Sequence, residues 1–135
     1  MKINYTKSYK NHFPEFDFNE EYYIIKVNSK KFDNYWQNNS FLDESFPNKL
    51  FCTRLSSYND ILNEIKTNKN HTIAYPIIEW ADKDSFKIFQ GRHRIRAIID
   101  SGAETIQLAI KEKYLEIFKD FLEVEIVNKF IFRAT

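Results

Sequence analysis

Glycine occurs only twice in the 135-residue chain, at Gly91 and Gly102. At the average usage of about 7%, a chain of this length would contain roughly nine glycines. Glycine is the residue that most readily adopts positive φ angles, so turns that need such angles have few places to form. Both glycines bracket one short segment, which is therefore the part of the sequence that most restricts the fold.

Composition predicts one folded domain over 1–135 and excludes several other classes of protein. The chain is 43% hydrophobic and 17% aromatic, which is enough for a core and too much for a disordered chain. Lys and Arg number 20 against 19 Asp and Glu, so the net charge of +1 gives no overall attraction to nucleic acid or acidic membranes. The single cysteine, Cys52, cannot form an internal disulfide or a cysteine-based zinc site.

The residue patterns predict neither a membrane-spanning segment nor a metal site formed by histidines. No apolar run approaches the roughly 20 residues that a membrane span needs, and residues 1–10 contain no signal-peptide core. We therefore expect a cytoplasmic protein with no membrane partner. His12, His71 and His93 lack the spacing of paired metal ligands, so the sequence predicts no metal site built from histidines.

Hydrophobic periodicity predicts an α/β fold, with a mixed, partly antiparallel sheet flanked by helices. Strands are expected at 22–27, 72–80, 86–89, 105–110 and 124–132. Helices are expected after a cap at Asn28 or Ser29, from Ser57 to about Asn68–Asn70, from near Arg92, and from Tyr114 to Leu122. Pro76 interrupts one strand, which favours an edge position or an irregularity there. Residues 1–20 are interpreted as an N-terminal arm without a strand, and residues 38–56 as a long loop.

The helix that begins near Arg92 carries charges that oppose its own dipole. It opens with Arg92, His93, Arg94 and Arg96, although each cation near a helix N-terminus costs a few tenths to about 1 kcal/mol. Its far end, which favours cations, carries Asp100 instead. Gly102 is placed to close the helix with a left-handed C-cap.

An anion bound at this N-terminus would reverse the effect of those charges. Backbone N–H groups, the dipole and arginine side chains would then act on one negative group, and each charge-assisted hydrogen bond contributes about 1.5–3 kcal/mol. Gly91 would let a phosphate approach the backbone closely. The alternative is that the arginines are solvated or paired with acids of the 82–84 turn, and that Gly91 only permits the bend.

The run Gly91-Arg92-His93-Arg94 follows a Phe-Lys-Ile-Phe strand and precedes an apolar helix, a Ser-Gly and another strand. This arrangement resembles the core of the ParB/sulfiredoxin superfamily, and the similar, motif-bearing stretch covers 72–110. The resemblance implies that Gly91 forms a phosphate-binding turn and that His93 and Arg94 contact phosphate oxygens. It also implies a nucleoside triphosphate, ATP or CTP, as a candidate cofactor, with Mg²⁺ as a candidate companion.

The chain departs from two branches of that superfamily. Arg92 stands where sulfiredoxin has its reactive cysteine, which argues against repair of sulfinic acids. We find neither a second motif resembling Glu-Asn-x-x-Arg nor a downstream helix-turn-helix domain, so a self-sufficient DNA-partition clamp is not expected.

Two functional hypotheses follow. The first is a domain that binds a nucleotide or a nucleic-acid backbone through Gly91, Arg92, His93 and Arg94, and the sequence leaves open whether it is an enzyme. Phosphoryl transfer or hydrolysis would need an acid near the phosphate, for which Glu79 is the candidate, and His93 could carry a proton. The alternative is a non-catalytic module, an accessory protein of a plasmid, phage or defence system, that docks DNA or an acidic protein partner.

Overall fold

The chain forms seven strands and four helices over the residues that its computed structural model describes, which are 3–6, 21–39, 58–67, 72–82 and 85–131. The strands are β1 (Asn4–Thr6), β2 (Glu21–Asn28), β3 (Thr72–Ala74), β4 (Ile77–Ala81), β5 (Phe86–Gln90), β6 (Thr105–Lys111) and β7 (Glu125–Ile131). The helices are α1 (Ser29–Asn39), α2 (58–67), α3 (Arg92–Asp100) and α4 (Glu112–Lys119). This is the predicted α/β fold, and each predicted strand and helix is present.

Five strands form one mixed sheet in the order β5-β4-β6-β2-β7. Neighbouring strands are antiparallel, except that β4 and β6 run parallel. The parallel pair arises because the chain leaves β5, passes through α3 and returns to the sheet as β6 on the far side of β4. The helix with the arginines is therefore the crossover that joins the two halves of the sheet.

Pro76 marks the point at which the chain changes sheets. The strand predicted over 72–80 is divided there into β3, which pairs in parallel with β1, and β4, which enters the main sheet. The Tyr75 N–H donates to the Thr6 carbonyl at 2.9 Å, and the Pro76 carbonyl accepts from the Ala109 N–H at 2.9 Å. The predicted irregularity is confirmed, since Pro76 lies between the two strands and β3 is an edge strand of the two-stranded sheet.

The prediction that the first twenty residues contain no strand is wrong at β1. Its three residues are too few to produce a readable alternation, and they become a strand because β3 provides a partner across the register Tyr5↔Ile73. Apart from Ile3, the other residues of the predicted arm lie outside the described residues. So does the predicted 38–56 loop, apart from its first two residues, which end α1.

The helices begin and bury side chains as their sequences indicate. Asn28 caps α1, since its side-chain oxygen accepts from the Lys31 N–H at 3.0 Å. Phe32 and Trp36, four residues apart on one face of α1, are fully buried. In α4, Phe118 is fully buried and Leu115 is 5% exposed, while Glu112 and Lys119 lie at the ends that suit their charges.

Most of the core consists of aromatic and branched aliphatic side chains from the sheet and the helices. Phe86 of β5 lies at its centre, with its ring 5.2 Å from that of Tyr35 and 5.5 Å from that of Phe118. Ile95 and Ile98 of α3 are fully buried in the same cluster. The buried face of α3 is therefore fixed by the core, which sets the direction in which its other side chains point.

Candidate anion site at the N-terminus of α3

Gly91 makes the sharp turn between β5 and α3. It is the N-cap residue of the helix, with φ 104° and ψ 15°. A Cβ atom there would lie 2.9 Å from both Cα and Cβ of Pro76, a separation that real Cβ atoms do not tolerate. The absence of a side chain at Gly91 is therefore accounted for by its φ angle and by the close contact with Pro76.

Arg94 points into the protein. Arg94 is only 7% exposed. Its guanidinium donates a 2.9 Å hydrogen bond to the carbonyl of Ala74, at the end of β3. The guanidinium carbon also lies next to the turn, since a Cβ on Gly91 would be 3.2 Å from it. Arg94 thus joins the first turn of α3 to the point where β3 ends, and its contact with a phosphate remains a prediction.

Arg96 has a structural role that the sequence did not reveal. It is 4% exposed and forms a bidentate pair with Asp33 of α1, with N–O distances of 2.8 and 3.2 Å. Its guanidinium also lies 3.6 Å from a carboxylate oxygen of Asp100 and 5.4 Å from the ring centre of Trp36. The carboxylates of Asp33 and Asp100 therefore balance its charge.

The position of Asp100 at the C-terminal end of α3 is explained by its contacts with Arg96 and with α2. Its carboxylate accepts a short hydrogen bond from the Tyr58 hydroxyl of α2 in addition to the interaction with Arg96. The Asp100 carboxylate therefore links α3 to α2 through Tyr58, and it helps to fix the side chain of Arg96. Two of the charges that oppose the helix dipole, Arg96 and Asp100, consequently need no external ligand.

The pairs of Arg96 with Asp33 and of Asp100 with Tyr58 had no short-range signal, whereas Arg96 and Asp100 have the i, i+4 spacing of helical neighbours. Arg96 and Asp33 are 63 residues apart, and Tyr58 and Asp100 are 42 residues apart. Each pair forms because packing of α1 and α2 against α3 brings the partners together.

The buried tyrosines should make the fold sensitive to alkaline pH. Burial, followed by the hydrogen bond to Asp100, raises the pKa of Tyr58 to about 12, and burial raises the pKa of Tyr5 to about 12. An unfolded tyrosine titrates near pH 10, so the native state favours the neutral form. Its stabilising contribution is complete below about pH 10 and is lost as the pH rises towards 12.

We expect the free energy of unfolding, measured by urea titration from about pH 8 to about pH 11, to fall above pH 10. Tyr58→Phe and Tyr5→Phe should each reduce that decline, because each variant removes one group with a raised pKa. An equally steep decline in both variants would assign the alkaline sensitivity to other groups.

Arg94 and Arg96 both have partners within the protein, so an anion site at the start of α3 depends on the remaining groups of its first turn. Gly91 offers no side-chain hydrogen bond to the helix, and the first turn contains no acidic residue. The first backbone hydrogen bond of the helix runs from the Ile95 N–H to the Gly91 carbonyl at 2.8 Å. Arg92 and His93 are only partly buried, so both lie near the surface at the positive end of the helix.

Glu79 lies on the neighbouring strand, close to this turn along the backbone. Ile77 of β4 pairs with Gln90, the residue before Gly91, and Glu79 is two residues further along β4. The register between β4 and β5 shifts between Ile78 and Trp80, an irregularity of the kind that often changes the direction of a side chain. The Glu79 side chain lies outside the described part of the chain, so its role as a catalytic acid stays a prediction, as does that of His93 as a proton carrier.

Comparison of the chain with protein-family models, with curated proteins and with solved structures found no match. The resemblance to the ParB/sulfiredoxin superfamily accordingly depends on Gly91–Arg94 and on the elements around it. Those elements, β5, the glycine turn, α3 and β6, occur in the predicted order.

Two searches of the described residues concern metals and membranes. Within them, no group of three or more His, Cys, Asp and Glu side chains is arranged to hold a metal ion. None of the helices described has both the length and the apolar character of a membrane span.

Proposed function

We propose that the first turn of α3 binds a phosphate group that belongs to a nucleotide or to a nucleic-acid backbone. One observation carries the proposal: the positive end of the helix has neither a side-chain cap nor an acidic residue, yet it carries Arg92 and His93 near the surface. A helix start that served stability alone would favour Ser, Thr, Asp or Asn at the cap and acids in the first turn.

The residues at this turn have different roles in the proposal. Backbone N–H groups of the first turn point out of the helix end, where they and the dipole attract an anion. Arg92 adds the charged side chain, and His93 adds an imidazole whose positive form the bound anion would favour. Arg94 holds the turn against β3 through the Ala74 carbonyl, and Gly91 keeps the turn close to Pro76.

The alternative function, a non-catalytic module that docks DNA or an acidic protein, would use the same charges. Docking of DNA or of an acidic protein needs a larger charged surface than nucleotide binding does. A single helix N-terminus and one arginine contact only one or two phosphates. Nucleotide binding is favoured here because the N-terminus of α3 is one compact site, and because Arg94 and Arg96 are buried rather than displayed along a surface.

Replacing Arg92 with glutamine should weaken phosphate binding by about tenfold or more, since a hydrogen bond to a charged group contributes about 1.5–3 kcal/mol. The measurement is thermal shift and calorimetry with ATP, CTP, other nucleotides and short oligonucleotides, with and without Mg²⁺. Lys66→Gln on α2 is the matched control, because it removes one exposed positive charge far along the chain from the site. Its affinity should equal that of the wild type.

Release of inorganic phosphate, assayed in the same samples, tests whether the domain hydrolyses a bound nucleoside triphosphate. Salt dependence separates nucleotide from nucleic acid, because the log–log slope for a duplex is about −0.9 per contacted phosphate. Equal affinity in wild type, Arg92→Gln and Lys66→Gln would contradict the proposed site.

A further inference from the structure

The outer edge of β7 is an unpaired edge of the main sheet. β7 is the last strand in the order β5-β4-β6-β2-β7, and within the described residues it pairs only with β2. The backbone N–H and C=O groups on its far side therefore have no partner strand in that part of the chain. An edge of this kind can pair with a strand of another molecule, because it presents a row of main-chain donors and acceptors.

β7 also carries the most exposed large apolar side chains of the described residues. Ile126 and Val127 are each 45% exposed. By contrast, β5 at the opposite edge of the sheet buries Phe86 and Ile88. A second strand along β7 would remove Ile126 and Val127 from water in part, which favours association.

The charges of β7 indicate that the second strand is another β7. Glu125 and Lys129 are both exposed, and they lie two residues before and two residues after Val127. In antiparallel pairing about a two-fold axis at Val127, Glu125 of each copy stands opposite Lys129 of the other. Opposite charges that face each other across a ladder stabilise it. Parallel pairing in register would instead place like charges opposite each other.

Neighbouring antiparallel registers lose this complementarity. An axis at Ile126 places Glu125 opposite Val127. Lys129 then faces Glu123, which precedes the strand. An axis one residue past Val127 places Lys129 opposite Val127. The register centred on Val127 therefore differs from these two in giving both charged residues of the strand an opposite charge within the strand.

Two features of β7 keep the contact short and weak. The pairing of β7 with β2 shifts by one residue between Ile24 and Ile25, so Val127 is a bulge without a partner on β2. A bulge increases the local twist and restricts pairing at an edge. Lys129 also forms a 3.1 Å ion pair with Glu21 of its own chain, although 58% of its side chain remains exposed. We therefore expect reversible association with a dissociation constant on the order of 0.1 mM.

We propose that two copies of the chain associate through β7, in antiparallel pairing centred on Val127. Glu125 and Lys129 of each copy bind Lys129 and Glu125 of the other, and Ile126 and Val127 lie along the shared edge. The contact joins two five-stranded sheets into one continuous sheet. It uses none of the residues proposed to bind phosphate, so the two proposals can fail separately.

Sedimentation velocity of the full chain, from about 5 µM to about 1 mM, tests the proposal. A reducing agent prevents disulfides between the Cys52 side chains of two copies. The wild type should change from monomer to dimer as its concentration rises. Glu125→Lys and Lys129→Glu should each weaken dimerisation about tenfold or more, because each replaces two attractive pairs by two repulsive ones.

An equimolar mixture of these two variants should dimerise about as strongly as the wild type, because the mixed pair has opposite charges at both positions. This recovery depends on the register and would not follow from a general change in net charge. Circular dichroism verifies the fold of each variant, and both replaced side chains are exposed.

Glu123→Lys is the matched control, since it makes the same change of charge two residues before Glu125 and outside the strand. Its dimerisation should match that of the wild type to within about threefold. A wild type that stays monomeric at the highest concentration would overturn the proposal without reference to any variant. So would a mixture that does not recover, or a loss in Glu123→Lys as large as that in Glu125→Lys.

Discussion

Replacing Gly91 with alanine should lower the free energy of unfolding by roughly 2–5 kcal/mol, through backbone strain and overpacking together. The φ angle of 104° is one that residues with a side chain rarely adopt. The new methyl group would in addition lie 2.9 Å from Cα and Cβ of Pro76, and neither atom can rotate away. Because the contact joins the start of α3 to the point where β3 ends, the turn would have to move as a whole. Urea unfolding monitored by circular dichroism measures the loss.

Gly102→Ala is the control that separates the two causes. Gly102 also has a positive φ angle, 91°, but a Cβ atom there meets no heavy atom within 4 Å. We expect a loss of only about 1–2 kcal/mol, which is the cost of the left-handed conformation by itself. Equal losses in the two variants would mean that the contact with Pro76 contributes nothing.

Replacing Arg96 with methionine should be the second large effect, a loss of about 2–4 kcal/mol in the free energy of unfolding. The substitution leaves the Asp33 and Asp100 carboxylates without their cation in a partly buried site. Their side chains are 20% and 35% exposed, so water compensates in part and the expected loss is below that of a fully enclosed pair. The contact of the guanidinium with the Trp36 ring is lost as well.

Lys119→Met provides the comparison with an ion pair of similar length at the surface. Lys119 lies 3.3 Å from Glu116, whose side chain is 82% exposed. We expect a change of about 0.5 kcal/mol or less, because exposed pairs contribute little. The double variant Arg96→Met with Asp33→Asn should be more stable than the sum of the two single variants predicts, since it removes the carboxylate that Arg96→Met leaves without its partner. Strict additivity would contradict the proposed role of the pair.

All of the described strands and helices except β1 could be predicted, because each of these elements has a local cause in the sequence. Ile95 and Ile98 repeat at helical spacing, Asn28 caps α1, and the two glycines mark the ends of α3. The split of the strand at Pro76 was predicted as an irregularity for the same reason, because proline lacks the N–H that a ladder requires. By contrast, β1 is a strand only because β3 lies beside it, and its three residues contain no such cause.

The candidate site was predicted only in part. The order of strand, glycine turn and helix was visible in the sequence, and so was the unusual concentration of positive charge. The directions of the side chains were not visible, because they depend on which face of α3 the core buries. With that face buried, Arg96 contacts Asp33 and Arg94 contacts the Ala74 carbonyl. Arg92 and His93 lie near the surface.

The pairing of β1 with β3 has a consequence for the order in which the newly made chain can fold. The two strands are about 70 residues apart, so at roughly 5–20 residues per second β1 waits several seconds on the ribosome before β3 emerges. The wait for a partner strand is longer for β2, because the two strands that flank it in the sheet, β6 and β7, both lie in the last third of the chain. The nonlocal pairing of β2 can therefore begin only after roughly 80 further residues have been made, and until then the apolar residues of β2 have no partner strand.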